Sequence, residues 1–73
     1  MTKDEFLVEM QDVLQTDDAL TMETALGDLA EWDSLSMMAT MAFLGKKFGA
    51  EVSIANLMAF ATVGDIAAAA GLK

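Results

Sequence analysis

No proline occurs in these 73 residues, while alanine occurs thirteen times. Alanine is the strongest helix former and proline the strongest breaker. Nothing therefore interrupts helix except five glycines and the capping residues, and these become the boundaries to read. Apolar residues make up 55% of the chain against 22% charged, enough for a core despite a net charge of −8. A chain this short is expected to form one small domain, residues 1–73, burying only about 60% of the surface its unfolded form exposes.

The first predicted helix opens at Thr2, with Glu5 three residues on as a capping-box partner, and carries Phe6, Leu7, Met10, Val13 and Leu14 on one face. Residues 16–33 lack a sustained helical period yet contain Leu20, Met22, Leu26, Leu29 and Trp32. That is too much apolar surface to hang in water, so the segment reads as a long loop packed onto the helices. It exceeds the roughly 2–8 residues usual between bundle helices, and connections of that length are commonly functional. A second helix begins near Asp33 or Ser34 and runs to about Phe48, stopped by Gly49. Residues 52–60 suit a strand or a buried turn of helix; a short helix with a weak cap at Ser53 is expected. The last helix opens at Thr62, with Asp65 three residues on, and continues through four alanines to Gly71. The predicted fold is all-α, a small antiparallel bundle of three longer helices and one short one with a long first loop.

Cysteine and histidine are both absent, which removes disulfides, cysteine-histidine zinc sites, thiol nucleophiles and imidazole acids or bases. No apolar run reaches the roughly 18 residues a membrane span needs, and residues 1–5 do not open a signal peptide, so a cytoplasmic location is expected. Four lysines, no arginine and a pI of about 4.1 argue against nucleic acid as a partner. The charge is uneven. Residues 1–33 hold ten acids against Lys3, a net −9, while residues 34–73 hold Glu51 and Asp65 against Lys46, Lys47 and Lys73, a net +1. The acids at Asp17, Asp18, Glu23, Asp28, Glu31 and Asp33 do not follow the spacing of a calcium loop, and no metal site is expected.

The most informative stretch is Glu31-Trp32-Asp33-Ser34-Leu35, which puts a serine where the long loop meets the second helix. A hydroxyl there lies near the partly positive helix end, where free backbone N–H groups satisfy a phosphate, so the position suits a phosphodiester. An Asp-Ser pair at a helix start is also an ordinary N-cap. The two roles do not exclude each other. Trp32 reads as packing for the loop or as a contact for whatever Ser34 carries.

Asp33-Ser34-Leu35 at the start of a second helix, in an acidic chain of this length, resembles an acyl carrier protein or, more broadly, a phosphopantetheine-binding carrier domain. The likeness extends over Phe6 to Leu14, over Leu26-Gly27-Asp28-Leu29 before the serine, and over Thr62-Val63-Gly64-Asp65-Ile66 at the last helix. It implies that a separate phosphopantetheinyl transferase attaches 4′-phosphopantetheine from coenzyme A to Ser34. The cargo thiol then belongs to the cofactor, and the chain itself is not an enzyme. The resemblance further implies that Asp33 is recognised by the transferase and that Leu35 packs beside the arm, although a helix-start leucine also fits plain core. The implied partners are that transferase, an acyl- or aminoacyl-loading ligase, and downstream synthase or transferase enzymes of fatty-acid, polyketide or similar biosynthesis, all served by a monomer.

The sequence departs from the resemblance in its charges. Family members carry acids on the exposed side of the second helix and around the third, where this chain has Ser36, Ala39, Gly45 and Lys46, then Ile54, Ala55 and Met58. This points to a dedicated carrier for a specialised pathway. Met37, Met38, Met41, Ile54 and Met58 fit either core at helical spacing or, for Met37 and Met58 in particular, an exposed adaptable patch for one partner. Lys46 and Lys47 fit a solvated helix end favoured by the dipole, or a basic contact for an acidic partner. An aminoacyl carrier loaded by an adenylating ligase, and an unmodified helical interaction module, are the alternative functions.

Overall fold

The structure, a computed structural model, describes residues 1–72; Lys73 lies outside them. Four helices follow in order: α1 over Lys3–Leu14, α2 over Ser34–Phe48, α3 over Ile54–Ala59 and α4 over Val63–Ala69, with a single 3-10 turn at Leu26–Asp28 inside the long loop. The all-α, four-helix reading stands. The last helix is shorter than the alanine run suggests: it ends at Ala69, and Gly71 turns left-handed at φ 88°.

Each helix starts where a side chain satisfies the free amides of its first turn. Thr2 and Glu5 form a full capping box on α1, and Thr62 and Asp65 form one on α4. Ser53 does more than a weak cap: with Asn56 it closes a third box, which lets a six-residue helix hold its place. Gly49 stops α2 at φ 65°, where glycine pays no Cβ penalty, and the Ala50 amide donates to the Leu44 carbonyl at 3.2 Å.

The core draws on every element. Phe6, Met10 and Leu14 project from one face of α1, Leu20, Leu26 and Leu29 from the loop, Phe43 and Leu44 from α2, Leu57 from α3, and Val63, Ile66 and Ala67 from α4. Each large side chain so buried contributes roughly 1.5–3 kcal/mol. The loop is also tied by its backbone. The Leu26 amide donates to Ala61, and the amides of Val63 and Gly64 donate to Thr24 and Met22, at 2.8–3.0 Å. These bonds fix the path of the chain into α2. Trp32 is half-buried and packed against the core, as loop packing requires.

Candidate functional site

The start of α2 sorts three adjacent polar residues into different tasks. Asp33 takes an extended backbone, φ −137° and ψ −174°, and is the N-cap: its Oδ1 accepts from the Ser36 amide at 2.9 Å. Ser36 Oγ accepts from the Asp33 amide at 2.8 Å and donates to the Asp33 carbonyl at 3.0 Å. One turn on, Thr40 Oγ1 donates to the Ser36 carbonyl at 2.8 Å, and both residues face inward with Phe43 and Leu44. Ser36 is therefore not on the exposed side of α2, where the resemblance put it; it is 8% exposed, facing inward with its hydroxyl bound into the cap.

Ser34 is the first residue of α2 and is exposed. It is not the N-cap. Among the described residues its hydroxyl has no hydrogen-bond partner, since Asp33 and Ser36 already satisfy each other. The box accounts for the amides of Asp33 and Ser36 and leaves those of Ser34 and Leu35 at the positive end of a fifteen-residue helix. A free hydroxyl beside two free amides suits a phosphodiester: the oxygen becomes the ester link and the amides donate to the phosphate. The other serines do not offer one: Ser36 is buried, and Ser53 Oγ is engaged with Asn56 at 2.8 Å.

The remaining predicted residues are placed unequally. Leu35 is 77% exposed, which rules out plain core, and Met38 and Met58 are 56% and 68% exposed. Met37 is only half-buried, as are Met41 and Ile54, so neither a wholly core nor a wholly exposed reading of the set holds. The reason is angular. Residues 36, 40, 43 and 44 form the inward face, and position 38 lies opposite while 37 and 41 flank it. Asp33, Leu35 and Met38 meet in a cleft of ≈ 500 Å³ between the end of α1 and the start of α2, with Val13, Gln15 and Glu31. Met58, on α3, is not among its walls. Gln15 and Val13 carry no sequence signal for this role beyond their position at the end of α1.

α2 and α3 contain no acidic residue. Lys46 and Lys47 are both exposed in the last turn of α2. Leu35, Ala39, Ala42 and Lys46 fall at spacings of four, three and four residues, so Lys46 continues the exposed stripe and Lys47 does not. Among the described residues, no three potential metal ligands come together and no helix is long and apolar enough to cross a membrane.

Comparison with known proteins covers nearly the whole chain. The family model for the phosphopantetheine attachment site, PP-binding, matches residues 4–70. The chain is also similar to a solution NMR structure of holo acyl carrier protein from Geobacter metallireducens, with 30% identity and a TM-score of 0.74, over 96% of this chain and 82% of that one. Among curated protein sequences, none matches. Four helices, a free helix-start hydroxyl and a match over residues 4–70 agree: the chain belongs to the phosphopantetheine attachment family, a carrier protein whose covalent cofactor is 4′-phosphopantetheine and which is not itself an enzyme.

Proposed function

We propose that Ser34 carries the 4′-phosphopantetheine and that residues 1–73 act as one monomeric carrier domain in the cytoplasm, presenting an acyl group to the enzymes of one dedicated biosynthetic pathway. The observation that carries the reading is that, of three serines, Ser34 alone combines exposure with an uncommitted hydroxyl at a helix N-terminus. In the attachment step Ser34 Oγ gives its proton to a base of the transferase and bonds to the pantetheine-side phosphorus of the coenzyme A diphosphate; the bond from that phosphorus to the bridging oxygen breaks, and adenosine 3′,5′-bisphosphate leaves with that oxygen. Once attached, the cofactor supplies the thiol that holds cargo as a thioester. Asp33 fixes the helix start and so the backbone position from which Ser34 is offered to the transferase, and its exposed carboxylate is what the transferase recognises.

Leu35 and Met38 on α2, with the exposed part of Met37, and separately Met58 on α3, are the apolar residues partner enzymes read. The helices α2 and α3 contribute no acid to this surface, Asp33 and Glu31 border it only at the start of α2, and its basic end at Lys46 suits a partner with an apolar contact and a carboxylate. This favours a dedicated partner set over the basic patches that meet acidic carriers. The same face fits an aminoacyl carrier, distinguished by which ligase charges the holo protein.

Incubation with coenzyme A, magnesium and a broad-specificity phosphopantetheinyl transferase is expected to raise the intact mass by one phosphopantetheine. Ser34→Ala is expected to abolish the gain. No gain in the folded wild-type protein with several transferases overturns the reading in favour of an unmodified interaction module.

A further inference from the structure

The cleft between α1 and α2 lies directly beside Ser34, because both chain neighbours of that serine, Asp33 and Leu35, line it. Val13, Leu35, Met38 and Ala39 give it apolar walls, and Gln15 and Glu31 add polar ones. Among the described residues neither of these two side chains hydrogen-bonds within the fold. Gln15 has a further peculiarity. It is the sole described non-glycine residue with a positive φ, 53°, in the left-handed conformation that a helix end ordinarily gives to glycine or asparagine. The backbone gains nothing from glutamine there, and sparsely populated conformations of this kind concentrate at functional sites. What glutamine provides over glycine is an exposed amide side chain at the rim of the cleft, between it and the neighbouring face of α1 at Gln11 and Asp12.

A phosphopantetheine arm has matching chemistry: a geminal dimethyl group near its phosphate, then a hydroxyl and two amides before the thiol. Tethering at Ser34 gives such an arm an effective concentration in the millimolar range, so weak contacts are enough to hold it. A second cleft, lined by Met41, Gly45, Ala50 and Val52, opens between α2 and the chain entering α3. Gly45 is eleven residues beyond Ser34, roughly 16 Å along the helix axis. The arm reaches the α1–α2 cleft first.

We propose that the α1–α2 cleft is the resting site of the chain's own phosphopantetheine arm, with the geminal methyls against Val13, Leu35 and Met38 and the amides facing Gln15 and Glu31. The proposal rests on Ser34 being the attachment residue. Glutamine suits the task because its side-chain amide both donates to a carbonyl and accepts from an N–H. Leu35 and Met38, the apolar residues α2 leaves most exposed, are then covered in the holo protein at rest and uncovered when an enzyme draws the arm away.

The test compares apo and holo protein, the latter prepared with coenzyme A and a transferase and verified by mass, using methyl-labelled NMR. Methyl resonances of Val13, Leu35, Met38 and Ala39 are expected to shift on loading and to show NOEs to the geminal methyls of the arm, while Val52 stays unshifted. Gln15→Gly is expected to keep or raise the Tm, since it relieves the left-handed backbone, and yet to lose most of the NOE intensity. A residue with a purely structural role would not separate these two readouts. A mass gain at Ser34 with unshifted cleft methyls, NOEs that fall on Val52 or α3, or undiminished NOEs in Gln15→Gly overturns the cleft assignment alone. No mass gain overturns attachment at Ser34 and the cleft with it.

Discussion

The Gly64 amide donates to the Met22 carbonyl at 2.8 Å, and a Cβ on residue 64 would lie 2.8 Å from that same oxygen. The first turn of α4 is thereby in backbone contact with the loop, with no room for a side chain between them. Gly64→Ala should raise stability by about 1 kcal/mol if helix propensity alone decided. The clash is with backbone, which gives way less readily than a flexible side chain, and overpacking of this kind costs about 1–3 kcal/mol. The variant is expected to be less stable than wild type in urea denaturation. An increase in stability would show that the loop and α4 separate easily.

Ser34→Ala and Ser36→Ala should differ although the residues are two apart. Ser36 closes the cap of α2 from a buried position, and its removal is expected to cost about 1–2 kcal/mol. In a domain of this size each kcal/mol corresponds to roughly 4–8 °C in Tm. Ser34 makes no bond within the cap, so its removal should change stability by no more than about 0.5 kcal/mol. Ser36→Ala should nevertheless still accept one phosphopantetheine. Thermal melts and intact mass on both variants check the pair; equal losses of Tm would refute the division of labour at the helix start.

Stability should fall in acid partly through two helix caps. The Thr2 amide, donating to Glu5 at 2.8 Å, with the Thr2 hydroxyl second, holds the Glu5 carboxyl below its usual range. The amides of Ala61 and Thr62, donating to Asp65 Oδ2 at 2.8 and 3.1 Å, do the same for Asp65. Folded-state values lower than unfolded ones mean that this stabilisation is fully present above the unfolded pKa, about 4, and lost as pH falls through the folded value. Acid also relieves the repulsion of a net −8 charge, so the informative quantity is the difference between variants. Asp65→Asn is expected to be less stable than wild type at pH 7 and to converge with it below pH ~4. Parallel Tm curves across that window would exclude a role for the ionised cap.

Three aromatic rings pack together where α1 meets α2. Phe6, Phe43 and Phe48 lie with ring centroids 5.8–6.1 Å apart, joining α1 to both the middle and the end of α2. Phe6→Ala should cost about 3–5 kcal/mol, against a total of roughly 4–11 kcal/mol for a chain of this length at typical stability per residue. The variant is expected to be marginally folded or unfolded at 37 °C by circular dichroism, and Phe6→Leu to remain folded. A Phe6→Ala protein with a wild-type Tm would place the stabilising core elsewhere.

Helix boundaries were legible in the sequence because caps are local. Thr2 with Glu5, Thr62 with Asp65, and Gly49 each announce themselves within a few residues, and each is where the chain turns. The Asp33-Ser34-Leu35 junction was equally visible. Which of Asp33, Ser34 and Ser36 caps the helix was not, since that depends on which residue takes the extended backbone before α2. Nor could the methionines be sorted: Met37 and Met38 are neighbours, and only the rotation of α2 against α1 makes the first half-buried and the second exposed. Gln15 left no trace, because its left-handed backbone and its place in the cleft arise from how α1 ends against the loop.

The loop's ties to α4 also set an order of events during folding. Leu26 to Ala61, Thr24 to Val63 and Met22 to Gly64 join residues about 40 apart in sequence, an unusually non-local set for an all-helical chain, and such contacts slow folding. The residues of α1 and α2 are made before residue 64, so the loop leading into Ser34 has no anchor until α4 exists. If attachment at Ser34 requires the anchored junction, loading follows the docking of α4, and the three loop–α4 bonds then tie modification to completion of the fold.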